Sequence, residues 1–282
     1  MEYITLSNGV KMPMLHFGVY QVTKEECERC VLDALKAGYR GIDTAQDYQN
    51  EAEVGAAIKA SGIPREEIFL TTKIWVCNYE NARQSFFDSL ERLQTDYVDL
   101  LLIHQPFGNY YAAWREFEKL YDEGKIRAIG ISNFYPDRMV DLTSFARVKP
   151  VVNQIELHPH YQQEKAIEWN RKYGISPEAW APFGQGLTGL FNDPTIAKIA
   201  EAHKKTPAQV MLRWNLQRGI IVIPKSTHYE RMVENIDVFD FKLTDEEMAE
   251  IATMDKGVSS RHMHMDPAVV ERFVAYIKNN PR

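Results

Sequence analysis

The sequence predicts an α/β chain folded as a (β/α)8 TIM barrel, with an N-terminal β-hairpin and extra C-terminal helices. Three observations predict it. Strand-like apolar runs and amphipathic helical stretches alternate eight times along the chain. The 282 residues show no linker, low-complexity segment or break in composition, so 1–282 read as one domain of barrel size. No G-x-G-x-x-G joins a strand to a helix, which weakens the doubly wound alternative.

The elements follow in order. "YITLSNGVKMPML" reads as a hairpin turned at Asn8-Gly9. "FGVYQV" is the first barrel strand, and Thr23 with Glu26 predicts a capping box for the helix ending at Ala37. "YRGIDTA" is the second strand, with a helix from Asn50 to Ala60. "IFLTTKI" is the third, with a helix from Asn78 to Leu93. "YVDLLLIH" is the fourth, and its near-continuous apolar run suits a strand buried on both faces. A helix over 111–123 follows. "IRAIGIS" is the fifth, with a helix after Pro136, and "PVVNQIEL" the sixth, with a helix over 163–173. "ISPEAWAP" is the seventh, with helices over 194–203 and 207–217, the latter started by Thr206, Pro207 and Gln209. "GIIVIPKS" is the eighth, with a helix over 229–235. Thr244 and Glu247 cap a further helix, and a terminal one spans 267–279 beyond the irregular "DKGVSSRHMHMDP".

Composition narrows the function classes. Hydrophobic residues make up 45% and charged residues 26%, ordinary for a water-soluble globular chain. A net charge of −6 argues against nucleic-acid and anionic-membrane partners. No apolar run approaches the roughly 18 residues of a membrane span. The N-terminal "MEYITLSNGVKMPML" lacks the charged and apolar regions of a secretory signal, so a cytoplasmic location is expected. Three cysteines make a disulfide framework unexpected. Cys27 and Cys30 form a C-x-x-C inside an amphipathic helix, without the strand-then-helix context of a redox pair, and Cys77 reads as a plain thiol. "HPH" (158–160) and "HMH" (262–264) lack further acidic or thiol ligands nearby, so no metal is expected. His262 and His264 read as part of a loop over the pocket.

In such a barrel the chemistry sits where strands end and loops begin. Reading those ends in order gives Asp43 with Tyr48 in its loop, Lys73, His104, Ser132-Asn133, Gln154, Trp180 and Lys225-Ser226. Each residue alone has an ordinary explanation, as a helix cap, a rim salt bridge or a structural histidine. Four of them on three adjacent strands make a chemical set. A free tyrosine titrates near 10, and a neighbouring ammonium lowers it by favouring phenolate. A carboxylate keeps that ammonium charged and oriented, and a histidine N–H meets a developing oxyanion. The set suits carbonyl reduction, with Tyr48 as proton donor, His104 orienting the carbonyl, and Lys73 and Asp43 tuning Tyr48.

The sequence resembles the aldo-keto reductase superfamily, especially its bacterial members of 2,5-diketo-D-gluconate reductase type. The matching blocks are "GYRGIDTAQDYQNEAEVG", "TTKIW", "LLLIHQP", "GISNF", "VVNQIELHP", "EAWAPFGQG" and "IPKSTHYERMVENIDVFDF", in family order over nearly the whole chain. The resemblance implies an NADPH-dependent reduction of a small aldehyde or ketone, carried out by a monomer. Its catalytic tetrad falls on Asp43, Tyr48, Lys73 and His104. Its nicotinamide contacts fall on Ser132, Asn133, Gln154 and the stacking Trp180. Its phosphate and adenine segment falls on Lys225, Ser226, Arg231, Glu234 and Asn235, and Gly18, Val19 and Tyr20 match the first-strand segment at the mouth. The substrate pocket is expected to draw on Tyr20, Trp75, Phe107 and Trp114, with loops near 184–191 and 258–266.

Two positions depart from the family. His16 stands where a glycine is usual, and Gln105 where tryptophan is common. Both bear on substrate range. Two other readings keep the barrel. Lys73 as a Schiff-base nucleophile would make an aldolase, which leaves Asn133, Gln154 and Trp180 without a task. A non-catalytic NADP-binding scaffold or sensor would not need an intact tetrad.

Overall fold

The computed structural model describes residues 1–280. Eight parallel strands form one sheet: β3 (Phe17–Gly18), β4 (Gly41–Asp43), β5 (Phe69–Ile74), β6 (Val98–Ile103), β7 (Ile126–Ser132), β8 (Val152–Glu156), β9 (Ser176–Trp180) and β10 (Ile221–Val222). Each pairs with the next in chain order. The sheet closes on itself where Leu15 bridges Val222, with His16 N–H donating to the Val222 carbonyl and Gly18 N–H to that of Pro224. That closure needs Gly18, because a β-carbon there would sit 2.8 Å from Ile223.

The antiparallel hairpin of β1 (Tyr3–Thr5) and β2 (Lys11–Pro13) plugs one end. Its Leu6 and Met12 join Phe69, Leu100, Leu102 and Val152 in an apolar cluster inside the barrel. Leu101 and Ile103 belong to the larger core between sheet and helices, so β6 is buried on both faces, as its apolar run requires.

Outside lie α1 (Lys24–Ala37), α2 (Glu51–Ala60), α3 (Ala82–Leu93), α4 (Tyr110–Asp122), α5 (Pro136–Phe145), α6 (Glu164–Lys172), α7 (Pro194–His203), α8 (Pro207–Gln217), α9 (Tyr229–Ile236), α10 (Asp245–Ala252) and α11 (Pro267–Asn279). The capping boxes at Thr206 and Thr244 form, each with its reciprocal Gln209 or Glu247 bond. The one expected at Thr23 does not, because that hydroxyl turns to the Glu25 carboxylate. The helix expected from Asn78 begins at Ala82, preceded by a 3-10 stretch over Val76–Asn81. The first and eighth barrel strands are two residues long, far shorter than their apolar runs, because those runs turn early into loops.

Candidate active site

Three neighbouring strand ends and one loop converge at the open end of the barrel. The Lys73 ammonium is wholly buried. It donates to Asp43 Oδ1 at 2.6 Å, to the Thr44 carbonyl at 2.8 Å and to the Tyr48 hydroxyl at 3.2 Å. The His104 ring lies edge-on to Tyr48, with centroids 5.7 Å apart. The four expected catalytic residues therefore form one connected group.

The stretch "DTAQDYQNE" explains how Tyr48 is held. Thr44 Oγ1 donates to Asn50, whose amide nitrogen donates to the Val19 and Val22 carbonyls and so ties this loop to the first strand's exit. Gln46 donates to Ser85 and Ser89 on α3 and accepts from Trp75 N–H and Asn78. Glu51, buried at the start of α2, accepts from Thr72, Ser89 and Arg92. Thr44, Gln46, Asn50 and Glu51 thus fix a short 3-10 turn, Gln46–Tyr48, against two helices and two strands. The sequence reading missed Gln46 and Asn50 in these roles. Nothing local marks them, since Gln46 stands between Ala45 and Asp47 and Asn50 between Gln49 and Glu51.

Burial decides the protonation states. It pushes the Tyr48 hydroxyl well above its ordinary 10, and the Asp43 charge adds to this. The expectation that Lys73 depresses Tyr48 in the resting enzyme is therefore corrected. A phenol desolvated beside a carboxylate holds its proton firmly. It remains a donor across the neutral range, and the Lys73 charge acts on the phenolate only as it develops. Burial, then Lys73 and His264, hold His104 well below its ordinary 6.5, so its ring is neutral.

Tyr20 stands 40% exposed at the mouth, its ring 5.0 Å from that of Tyr48. Trp75 lies against His104, with centroids 5.0 Å apart, and its indole N–H donates to Tyr276 on α11. Phe107 stacks on Phe273 of α11 and on His264 of the preceding loop. The C-terminal loop and helix therefore wall the mouth, a part the sequence reading gave to the loop but not to Phe273 and Tyr276. Trp114 is a correction. It sits in the outer helical layer, its indole N–H on the Val148 carbonyl and its ring against Phe117, because the register of α4 turns it inward to the core. Gly18 and Val19 are buried in the wall beside the mouth.

Ser132, Asn133, Gln154 and Trp180 interlock. Trp180 donates its indole N–H to Asn133 Oδ1 at 2.9 Å, and the Asn133 amide donates to the His104 carbonyl and to Ser132 Oγ. Asn133 takes a positive φ of 65°, a conformation asparagine tolerates best among non-glycine residues. Gln154 spends its amide nitrogen on Asp43 and on Glu178, each at 2.9 Å, leaving its carbonyl oxygen as acceptor.

Lys225, Ser226, Arg231, Glu234 and Asn235 all line one cavity of about 440 Å³ at the start of α9. Thr206 lines it too, and its hydroxyl donates to Glu234. His228, the residue before α9, makes no side-chain cap, so the first N–H groups of that helix keep their positive field for an anion.

Cys27 and Cys30 are both buried in α1, and burial pushes the Cys27 thiol up to about 12, which rules out a reactive thiolate there. Among the described residues no group of three or more His, Cys, Asp or Glu side chains could hold a metal ion. No helix among them is long and apolar enough to cross a membrane.

Comparison with known proteins places the family. The profile described as "Aldo/keto reductase family" matches residues 14–256. A glyoxal reductase of Bacillus subtilis is 47% identical over 259 residues, covering 90% of this chain and 93% of that protein. A methylglyoxal reductase DkgA of Yersinia pestis is 45% identical, covering 94% and 96%. A morphine 6-dehydrogenase of Pseudomonas putida is 45% identical, covering 90% and 92%. Among solved structures, an aldo/keto reductase from Brucella melitensis superposes with a TM-score of 0.87 at 45% identity, covering 90% of this chain and 99% of that one.

Proposed function

Since this chain belongs to the aldo/keto reductase family, we propose that it is an NADPH-dependent reductase of small aldehydes and ketones, with Tyr48 as the proton donor. The observation that carries the reading is the buried Asp43–Lys73–Tyr48 contact beside a neutral His104. Reactive dicarbonyls such as glyoxal and methylglyoxal are the first substrates to try, because two relatives are a glyoxal reductase and a methylglyoxal reductase.

The residues present fit a reduced nicotinamide cofactor. Lys225, Ser226 and Arg231 would hold its phosphates at the start of α9. The Gln154 carbonyl oxygen and Ser132 would face its amide end, with Trp180 as the flat partner. When bound, the cofactor supplies a hydride. Tyr48 delivers its proton to the carbonyl oxygen. His104 donates a hydrogen bond to that oxygen as negative charge gathers there. Lys73 stabilises the phenolate left behind, and Asp43 keeps Lys73 in place. A Schiff-base role for Lys73 is poorly supported, because its ammonium donates to three acceptors at once. We place the enzyme in the cytoplasm as a monomer, and a solution mass near 32.6 kDa tests the second point.

Loss of reduced-cofactor absorbance with methylglyoxal, glyoxal and a panel of further aldehydes and ketones tests the reading. Turnover of none, by a protein that binds NADPH, overturns it in favour of a scaffold or sensor. Two substitutions test the parts. His104→Ala should lose about 10²–10³-fold in kcat, and His104→Gln less, because an amide still donates. Equal activity in the two would remove the donor role. Arg231 matters for cofactor choice, because a guanidinium pairs with phosphate oxygens and the 2′-phosphate is what NADH lacks. A hydrogen bond to a charged group is worth about 1.5–3 kcal/mol, so Arg231→Ala should weaken NADPH roughly 10–150-fold. NADH should change little. Tryptophan quenching titrations with both cofactors measure this, and equal losses would deny Arg231 that role.

A further inference from the structure

Beneath the tetrad lies a second polar group that the reaction does not explain. Glu178 of β9 and His16, just before β3, are both wholly buried inside the barrel. His16 Nδ1 lies 3.4 Å from Glu178 Oε1, and neither atom has a hydrogen-bond partner of its own. The other Glu178 oxygen accepts from Gln154, which also donates to Asp43. Hydrogen bonds therefore run Glu178–Gln154–Asp43–Lys73–Tyr48, with His16 set against the Glu178 end. The His16 ring has a matched place in it. A β-carbon on Gly41 would fall 2.2 Å from the ring's Cδ2, so the glycine in β4 makes the room the imidazole takes.

We propose that Glu178 and His16 hold one shared proton beneath the active site, and that through Gln154 this pair is a positioning element for Asp43 and Lys73. The inference rests on the reductase reading given above. The carboxyl proton on Oε1 faces the His16 ring, which also meets the Pro13 carbonyl, while Oε2 accepts from Gln154. Glu178 then adds no charge, and Asp43 stays the one carboxylate matched to the Lys73 ammonium. The groups facing Glu178 are Asp43 from β4, Lys73 from β5, Tyr48 from the loop after β4 and His16. Its strand neighbours in register are Gln154 on β8 and Ile221 on β10.

Burial, with the Asp43 charge next, raises Glu178 from 4.5 to about 8, and burial lowers His16 to about 3, so at neutral pH the proton is on the carboxyl. Ionising Glu178 would place a second negative charge behind Tyr48 and make the phenol a poorer donor. Reduction should therefore fall as pH rises through about 8. Folding bears the same mark. The folded pair keeps one proton up to about 8, while an unfolded chain also holds one, on the histidine, until about 6.5, so this pair costs stability as pH climbs from about 6.5 to about 8.

Two variants test this. Glu178→Gln mimics the protonated acid, its oxygen accepting from Gln154 and its amide donating to His16. Its kcat for methylglyoxal with NADPH should lose the decline near pH 8, and its thermal midpoint should fall less with rising pH than that of the parent. His16→Gly takes away the acceptor and admits water, so the decline should move to lower pH. Infrared spectroscopy of the protein without cofactor should show a buried carboxylic acid band that disappears through about pH 8 and is missing in Glu178→Gln. A parent without that band, or a Glu178→Gln pH profile parallel to the parent's, overturns the proposal. If no carbonyl is reduced at any pH the reductase reading fails, while the infrared and thermal titrations still judge the pair.

Discussion

Tyr48→Phe should lower kcat for carbonyl reduction by at least about 10²–10⁴-fold, the usual worth of a positioned general acid, while NADPH still binds. The substitution removes one oxygen. Lys73 keeps its contacts with Asp43 and the Thr44 carbonyl, so the ion pair survives and the fold has no new buried charge. The ring keeps its packing against Tyr20 and His104. What disappears is the hydroxyl in contact with Lys73, and with it the proposed proton for the substrate oxygen. Single-turnover reduction of methylglyoxal measures the chemical step directly. A variant that keeps more than a tenth of the parent rate there would transfer the donor role to another group, with Tyr20 and His104 the neighbouring rings.

That expectation was legible in the sequence, and the reason is topological. A parallel barrel sends every strand end to one rim, so Asp43, Lys73, His104, Gln154 and Lys225 could be placed together from strand order alone. The cavity at the start of α9 came from the family resemblance instead, which set Lys225, Ser226, Arg231, Glu234 and Asn235 on one strand end and the helix after it, where they do line one cavity. What escaped depends on where a side chain turns. Trp114 is an aromatic near a rim loop by number, yet the period of α4 carries it into the outer core. Phe273 and Tyr276 reach the mouth from the far end of the chain, through a helix whose docking no local pattern specifies. The resting state of Tyr48 was misjudged for another reason. Residue types reveal that a lysine is near, but the competing cost of burial is set by how much protein surrounds the hydroxyl. His16 stands out in the sequence as a departure from the family, whereas Glu178 inside "EAWAP" carries no local mark. Only the closure of the barrel brings the two within 3.4 Å.

Lys73→Met should be as damaging to turnover as the loss of the hydroxyl, about 10²–10⁴-fold in kcat, and it should also lower stability. Methionine fills much the same space without the charge. Tyr48 would then lose the one cation that stabilises its phenolate, while Asp43 remains and opposes that phenolate. Asp43 would in turn be a buried carboxylate held by Gln154 alone among its present side-chain partners. Removing one member of a buried pair typically costs about 3–5 kcal/mol, which a thermal midpoint several degrees lower would report. Asp43→Asn should do less to kcat, because Lys73 stays charged and the amide oxygen still accepts from it. Its amide nitrogen, however, would face the Gln154 nitrogen, which already donates there, so the disturbance should travel toward Gln154 and Glu178. The order of the two kcat losses decides between two roles for the carboxylate. If Lys73→Met is the worse, Asp43 acts through the ammonium. If Asp43→Asn is the worse, Asp43 acts on the reaction directly, and the contact that matters is the one with Gln154 rather than the one with Lys73.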